Sequence, residues 1–451
     1  MNKLGYEPIV PMVLRISLLS MLAQFVNVFY SIVDRMFVGR IPDVGYLCLG
    51  GIGICGPIVT MIGSFAFLVG IGGSPMMGIK MGEQNKEEAK HILCQSFGLM
   101  IMIAVMLILC LYPLSKTMIY CFGASDVLFP YAIDYFRIYL SGTVFSLLAV
   151  SMNQFIIAQG YAKEGMISVW IGAICNILFD PLFIFVFDLG VKGAAIATVL
   201  SQMLSCFYVL YFLFKKSEIK LEFEWFDIKI MKKIIVMGFT PFIIIAIDNV
   251  MIMSMNSLLN LKGGHMSQYY MTANTIVQSF MLILTMPLGG ISAGTQCILS
   301  YNYGAKNMKR VKDSQKLIIL LCALYALIMF ICARVFTIQF IQFFTLEKKV
   351  IVIASAAIIK STLFIIPLGI QYAIVDGFTA MGKVNYALPL SFFRKSIYFI
   401  SLYVFAYISH IDNIFYAEAL CDIIGPIVTI VIYIFSINKI LNKRKEEPAI
   451  E

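Results

Sequence analysis

Of 451 residues, 60% are hydrophobic and 13% charged, and the mean hydropathy is +0.89. Soluble domains carry roughly a quarter of their residues as charges, so composition excludes a water-facing enzyme, a disordered chain and a basic nucleic-acid module. Lipid must replace water around most of this chain, and the net charge of +9 is then to be read by position, as orientation in a membrane.

A hydrocarbon core of roughly 30 Å takes about 20 helical residues. Apolar runs of at least that length, bounded by charge, Gly or Pro, predict twelve spans at 8–38, 46–80, 91–114, 130–160, 165–187, 193–214, 232–260, 268–303, 315–337, 350–381, 385–408 and 413–438. The expected class is an all-α integral membrane protein. The stretch MNKLGYEPIVPMVLRI lacks the short apolar core and small-residue cleavage site of a secretory signal, so the first span is expected to be retained. Eleven cysteines fall mostly inside apolar runs, with no Cys-x-x-Cys pair, which fits neither a disulfide framework nor a zinc site.

With the N-terminus cytoplasmic, 21 of the Lys and Arg residues fall on the cytoplasmic side and 8, including Arg35 and Arg40, on the other. The positive-inside rule therefore puts both termini in the cytoplasm. The one long polar connection, KKSEIKLEFEWFDIKIMKK at 215–233, separates six spans from six and divides the chain into an N-lobe, 1–218, and a C-lobe, 219–451. A shift of 222 residues aligns Gly72, Gly82, Asn85 and Lys90 with Gly294, Gly304, Asn307 and Lys312, and Ala158 and Gly160 with Ala380 and Gly382. Agreement of two separate loops at one shift indicates a duplication. Six spans return the chain to its starting side, so the repeats are parallel, giving two pseudo-symmetric six-helix lobes.

Nothing supports covalent chemistry. There is no Gly-x-Ser-x-Gly elbow, no phosphate-cradling Gly-x-x-x-x-Gly-Lys run and only three histidines, at or near loops. The chain is thus read as a non-enzyme without a cofactor, driven by an ion gradient rather than by ATP. Acids inside spans are costly and normally face a partner or a wet cavity. Asp34 sits near the end of the first span, and its bland alternative is an interfacial ion pair with Arg35. Asn176 and Asp180 lie one turn apart on the fifth span, so an amide oxygen and a carboxylate project together. Such oxygens suit a small cation or a proton, and Pro181 should distort the helix beside them; the bland reading is an Asx-type cap. Thr198 on the sixth span and Asn153 and Tyr135 on the fourth could complete the set, although a lone Thr more often bonds the carbonyl one turn back. In the second half, Asp248, Asp376, Glu418 and Asp422 are candidates for a cationic substrate or a second ion, with pairing to Arg394 or Lys395 as the alternative. Most of the 27 Met and 36 Phe face lipid or pack helices, and a few lining a cavity would adapt to varied ligands.

At these residues the chain resembles the multidrug and toxic compound extrusion (MATE) transporters, and the bacterial small-drug efflux branch most nearly. The likeness rests on GTQCILSYNYGAKNMKRVKDS at 294–314, GIGGSPMMGIKMGEQNKEEAK after the second span, the run from MNQFIIAQGYAKEGM to GVKGAAIAT across the fourth to sixth spans, and Pro11 and Pro241 early in the first and seventh. The resemblance implies the MATE fold. It also implies a cation-coupled antiporter with inward- and outward-open states, exchanging amphipathic, often cationic compounds for Na⁺ or H⁺ across the bacterial cytoplasmic membrane. By the same resemblance, Asp34, Asn176, Asp180 and Thr198 form the N-lobe cation site, a Na⁺ candidate, with Tyr135 and Asn153 beside it, and Asp248 and Asp376 match C-lobe acids of another branch. Expected partners are the small-molecule substrate and the bilayer, with no nucleic acid and a monomeric chain. The competing expectation is a flippase for a lipid-linked saccharide, a related fold, which needs a cationic cavity that only Arg15, Arg137, Lys360, Arg394 and Lys395 could supply.

Overall fold

A computed structural model describes residues 3–39, 41, 45–122, 128–344 and 347–446. Arg40 lies outside the described residues, as do the side chains of Arg35 and Pro241. Among the described residues the chain forms helices, turns and loops, with no strand. This is what lipid dictates, because a helix satisfies its backbone polar groups within the segment. The helices at the expected spans are α1 Ile9–Gly39, α2 Gly45–Gly82, α3 Lys86–Cys121, α4 Phe129–Ser141 with Thr143–Ala158, α5 Ala162–Pro181 and α6 Gly190–Lys215. They continue with α7 Ile228–Lys262, α8 Ser267–Gly294 with Gln296–Gly304, α9 Met308–Val335, α10 Lys348–Ser361 with Ile365–Ala380, α11 Val384–Ile408 and α12 Tyr416–Glu446.

Among the described residues, nine helical stretches are long and apolar enough to cross a bilayer, and two bent pairs bring the number to eleven. The twelfth expected span is α11, a 25-residue helix that carries Arg394 and Lys395 near its middle.

The duplication is written into the backbone. Asn85 caps α3 by accepting the Glu88 N–H at 3.0 Å, and Asn307 caps α9 by accepting the Arg310 N–H at 3.3 Å. Left-handed residues precede both caps, Gln84 at φ 62° and Lys306 at φ 55°, and Gly160 and Gly382 take positive φ after the fourth and tenth helices. Those two helices are the bent ones, α4 by 55° and α10 by 51°. Each of these correspondences is separated by 222 residues, so the shift seen in sequence is also a shift in capping and turn chemistry.

Two compact units result, Leu22–Ile245 and Met1–Met21 with Ala246–Glu451. The divisions fall within α1 and α7. In the first unit α2 packs on α3 and both segments of α4, and α6 packs on α4 and α5. The start of α7 crosses α2 here at very close range: a Cβ at Gly238 would fall 1.7 Å from the Leu68 carbonyl oxygen. In the second unit α9 packs on α10, α11 on α12, and α8 on α10. There the beginning of α1 meets α8, where a Cβ at Gly294 would fall 2.2 Å from Ser20 Oγ.

Candidate functional site: two acidic clusters

In the first unit, α5 presents Asn176 and Asp180 one turn apart, both fully buried. Asn176 Nδ2 donates to Asp180 Oδ1 at 3.2 Å. The distortion expected at Pro181 is present, one residue later than the acid: α5 ends at Pro181 and a π-helical turn follows at Leu182–Val186, closed by the Phe187 N–H on the Leu182 carbonyl at 2.9 Å. Proline supplies no N–H, which breaks the regular ladder, and single π turns inside helices concentrate at functional sites. Gly193 at the start of α6 packs onto this turn, since a Cβ there would lie 2.5 Å from the Phe183 carbonyl oxygen.

Asp34 of α1 comes against Asp180, close enough for a hydrogen bond between the two carboxyl groups. Two acids in such contact require a proton or a cation between them. Tyr30, one turn before Asp34, lies within electrostatic reach of both acids. From α4, Tyr135 is buried near Asp34 and stacks on Tyr139, with ring centroids 6.4 Å apart and planes 9° apart. The Tyr139 hydroxyl in turn reaches Ser146 at 3.5 Å and Gln202 of α6. Helices α1, α4, α5 and α6 thus converge on one carboxyl pair. Among the described residues Asn176 Oδ1 and Asp180 Oδ2 are buried without a hydrogen-bond partner, and no salt bridge involves Asp180. Hard oxygen donors left over in this way fit a small cation. No group of three His, Cys, Asp and Glu able to hold a metal ion occurs among the described residues.

Two expected members stand differently. Thr198 donates to the Ala194 carbonyl at 3.0 Å, the local bond typical of threonine in a membrane helix. Asn153 accepts from Ser168 Oγ at 3.2 Å; Ser168 is twelve residues before Asp180 on α5, about 18 Å along the axis. Tyr30, Tyr139 and Gln202, by contrast, had no positional signal that set them apart from other residues in apolar helices.

The second cluster is ionic. Lys395 of α11 pairs with Asp248 of α7, and Arg394 Nη1 donates to Asp422 Oδ1 of α12 at 2.7 Å. The alternative reading of pairing with α11 therefore holds for these two acids. Gly425, one turn after Cys421 on α12, makes room for the arginine: a Cβ there would lie 2.8 Å from Arg394 Cγ. Glu418 lies in the field of Asp422, Arg394, Lys395 and Asp248. Asp376 of α10 accepts a hydrogen bond from Ser292, and Tyr372, one turn earlier, stands within reach of Arg394, Asp248, Asp422 and Asp376. The five cations that a lipid-linked saccharide would need are each engaged separately: Arg15 with Glu7, Arg137 with Ser115, Lys360 with the Asp412 carbonyl, and Arg394 and Lys395 as above.

The chain as a whole is similar to known proteins. The MatE family pattern matches residues 20–182 and 245–404, one match in each half. The multidrug export protein MepA of Staphylococcus haemolyticus (strain JCSC1435) is 24% identical over 418 residues, covering 90% of each chain. Its namesake in Staphylococcus aureus (strain NCTC 8325 / PS 47) is 23% identical over 434 residues, covering 94% of each. Among solved structures, a MATE protein crystallised with MaD3S superposes with a TM-score of 0.90 at 21% identity, covering 98% of both chains. The outward-facing conformation of a multidrug resistance MATE family transporter gives 0.88 at 21% identity, covering 96% of both. Family pattern, helix-by-helix duplication and superposition lead to one conclusion: this multi-pass membrane protein belongs to the MatE family of transporters.

Proposed function

We propose that this chain is a cation-coupled antiporter that exports amphipathic, often cationic compounds across the bacterial cytoplasmic membrane. The supporting observation is the approach of half-buried Asp34 to buried Asp180, with the unsatisfied Asn176 Oδ1 beside them. The coupling ion is Na⁺ or H⁺, held by Asp34, Asn176 and Asp180, with Thr198 and Tyr135 at the margin. The relatives named for multidrug export support the substrate class. The lobes follow the sequence halves 1–218 and 219–451, the chain works as a monomer, and both termini are cytoplasmic.

Loading an ion between two carboxyls on α1 and α5 changes the net charge of the site by one unit and favours one packing of α1 against α5 and α6. Exchange follows when ion and substrate prefer different packings, because a ligand shifts an equilibrium only by its differential affinity for the two states. In the second unit Asp248, its side chain 42% exposed, is the acid placed to meet a cationic substrate, with Lys395 as its resident counter-ion.

The test is ethidium efflux in membrane vesicles under separately imposed Na⁺ and pH gradients. Asp180→Asn is expected to abolish gradient-driven efflux while folded protein remains in the membrane. Unchanged transport in that variant overturns the assignment, and the gradient that drives the intact protein identifies the ion.

A further inference from the structure

The connection between α6 and α7 is not a slack linker. Its backbone has no regular secondary structure from residue 220 to 227, and such a segment must find partners for its own N–H and C=O groups outside a helix. Two glutamines supply them. Gln159 accepts the Ile219 N–H at 2.8 Å and donates to the Ile219 carbonyl at 3.2 Å. Gln95 donates to the Trp225 carbonyl at 2.7 Å and accepts the Asp227 N–H at 2.8 Å.

The charges are sorted with the same consistency. All four acids of the segment turn to α3: Glu218 pairs with Lys86 at 3.1 Å, Glu222 with Lys90 at 3.1 Å, and Glu224 and Asp227 flank His91. The six lysines at 215, 216, 220, 229, 232 and 233 are all exposed, and none forms a salt bridge among the described residues. The outward face is therefore basic although the segment as a whole is mixed.

Exposed apolar side chains accompany this charge: Phe223 is 83% exposed, Trp225 95%, Phe226 65% and Ile228 79%. Their level is fixed by what they pack on. The strap begins beside Lys86 at the polar start of α3 and reaches Gly98, where a Cβ would lie 2.7 Å from the Phe226 ring. Twelve helical residues span about 18 Å, and α3 carries no charged residue from Ile92 to Ser115. The aromatic side chains thus sit at the depth where a polar helix end gives way to its lipid-facing body, the level favoured by aromatic anchors.

We infer that residues 215–233 form an interfacial strap that binds anionic lipid headgroups, its lysines on the phosphates and Phe223, Trp225 and Phe226 among the upper acyl chains. Basic residues near a negatively charged leaflet contribute about 1 kcal/mol each, close to fivefold in affinity. Aromatic insertion supplies a charge-independent hold.

Trp225 is its own reporter, because the chain has only two tryptophans. The experiment uses full-length Trp170→Phe protein in vesicles of phosphatidylcholine and phosphatidylglycerol. Trp225 emission is expected to be quenched by lipids brominated in the upper acyl chain and to be shielded from aqueous iodide. Iodide quenching as efficient as that of free tryptophan amide, without bromolipid quenching, overturns the proposal and leaves the face to a water-soluble partner. In the second arm, brominated phosphatidylglycerol should reach half-quenching at about a fivefold lower mole fraction than brominated phosphatidylcholine. That preference should vanish in the Lys220→Gln, Lys229→Gln, Lys232→Gln, Lys233→Gln combination. Equal quenching by the two lipids in the parent protein, or an unchanged preference in the combined variant, refutes headgroup recognition.

Discussion

Asp180 and Asp422 are equally buried, yet their neighbours give the two carboxyls different consequences when removed. Asp422 neutralises Arg394, whose side chain is 12% exposed, so Asp422→Asn leaves a buried guanidinium without its partner. Breaking a buried pair from one side costs about 3–5 kcal/mol, and thermal unfolding of the purified variant in detergent should show a loss of that order. Asp180→Asn removes no ion pair, so the same measurement should register under about 1 kcal/mol, even though gradient-driven efflux is lost. Lys395→Gln falls between them: its partner Asp248 is 42% exposed and can be hydrated, so the cost should be about 1 kcal/mol or less. At this scale the sequence made the first cluster legible because an i, i+4 pair beside a proline is a local pattern. Lys395 and Asp248 are 147 positions apart, and only packing shows that they meet. Thr198 donates to the Ala194 carbonyl, the local bond the sequence already allowed, and Asn153 accepts from the Ser168 hydroxyl.

Helices of this chain meet most tightly where side chains are missing, and not every glycine marks such a place. Gly238 on α7 and Gly72 on α2 both face backbone: added Cβ atoms would fall 1.7 Å from the Leu68 carbonyl oxygen and 2.4 Å from the Ile234 carbonyl oxygen. Gly63, on the same α2, has nothing within 4 Å. Gly238→Ala should therefore force the two helices apart at a cost of about 1–3 kcal/mol or more. Gly63→Ala should be neutral or raise stability by up to about 1 kcal/mol through helix propensity, and thermal unfolding of the two proteins side by side measures the contrast. The strap adds a pH dependence. Partial burial alone would raise the Asp227 carboxyl, but the N–H groups of Lys229 and Ile230 and the His91 ring outweigh it and hold it below its ordinary value. A group depressed in the folded state stabilises that state above its unfolded pKa and loses the effect as pH falls through the folded value. The strap end should thus stay docked from neutral pH down to the ordinary carboxylate range and loosen only below it. Hydrogen exchange at the amides of 225–230 across that range is the measurement. Turn and cap chemistry was readable from the paired Asn85 and Asn307, whereas the glycine crossings were not, because thirty-two glycines carry no mark of which ones face backbone.

For the whole molecule, the order of the spans was legible because the bilayer sets one length for every crossing, and the predicted ends differ from the helix ends mainly where helices run on past the expected apolar stretch, as in Lys86–Cys121 and Tyr416–Glu446. The placing of the two compact units was less legible, since their divisions fall inside the apolar helices α1 and α7, where composition does not change. Orientation has a physical argument of its own. Lysines and arginines resist transfer across the membrane during insertion, so the proposed orientation is the one that keeps the side with 21 of them against 8 in the cytoplasm. The strap carries six of those lysines, so it is both the strongest topological signal and the best position to test. In a background without the eleven native cysteines, Lys220→Cys should resist a membrane-impermeant maleimide in intact cells and react only after permeabilisation. Lys116→Cys near the end of α3 and Lys262→Cys at the end of α7 should react from outside without it. The opposite labelling pattern inverts the protein and moves the basic strap away from the anionic leaflet. Three single cysteines therefore decide the orientation of the chain and the setting of the strap together.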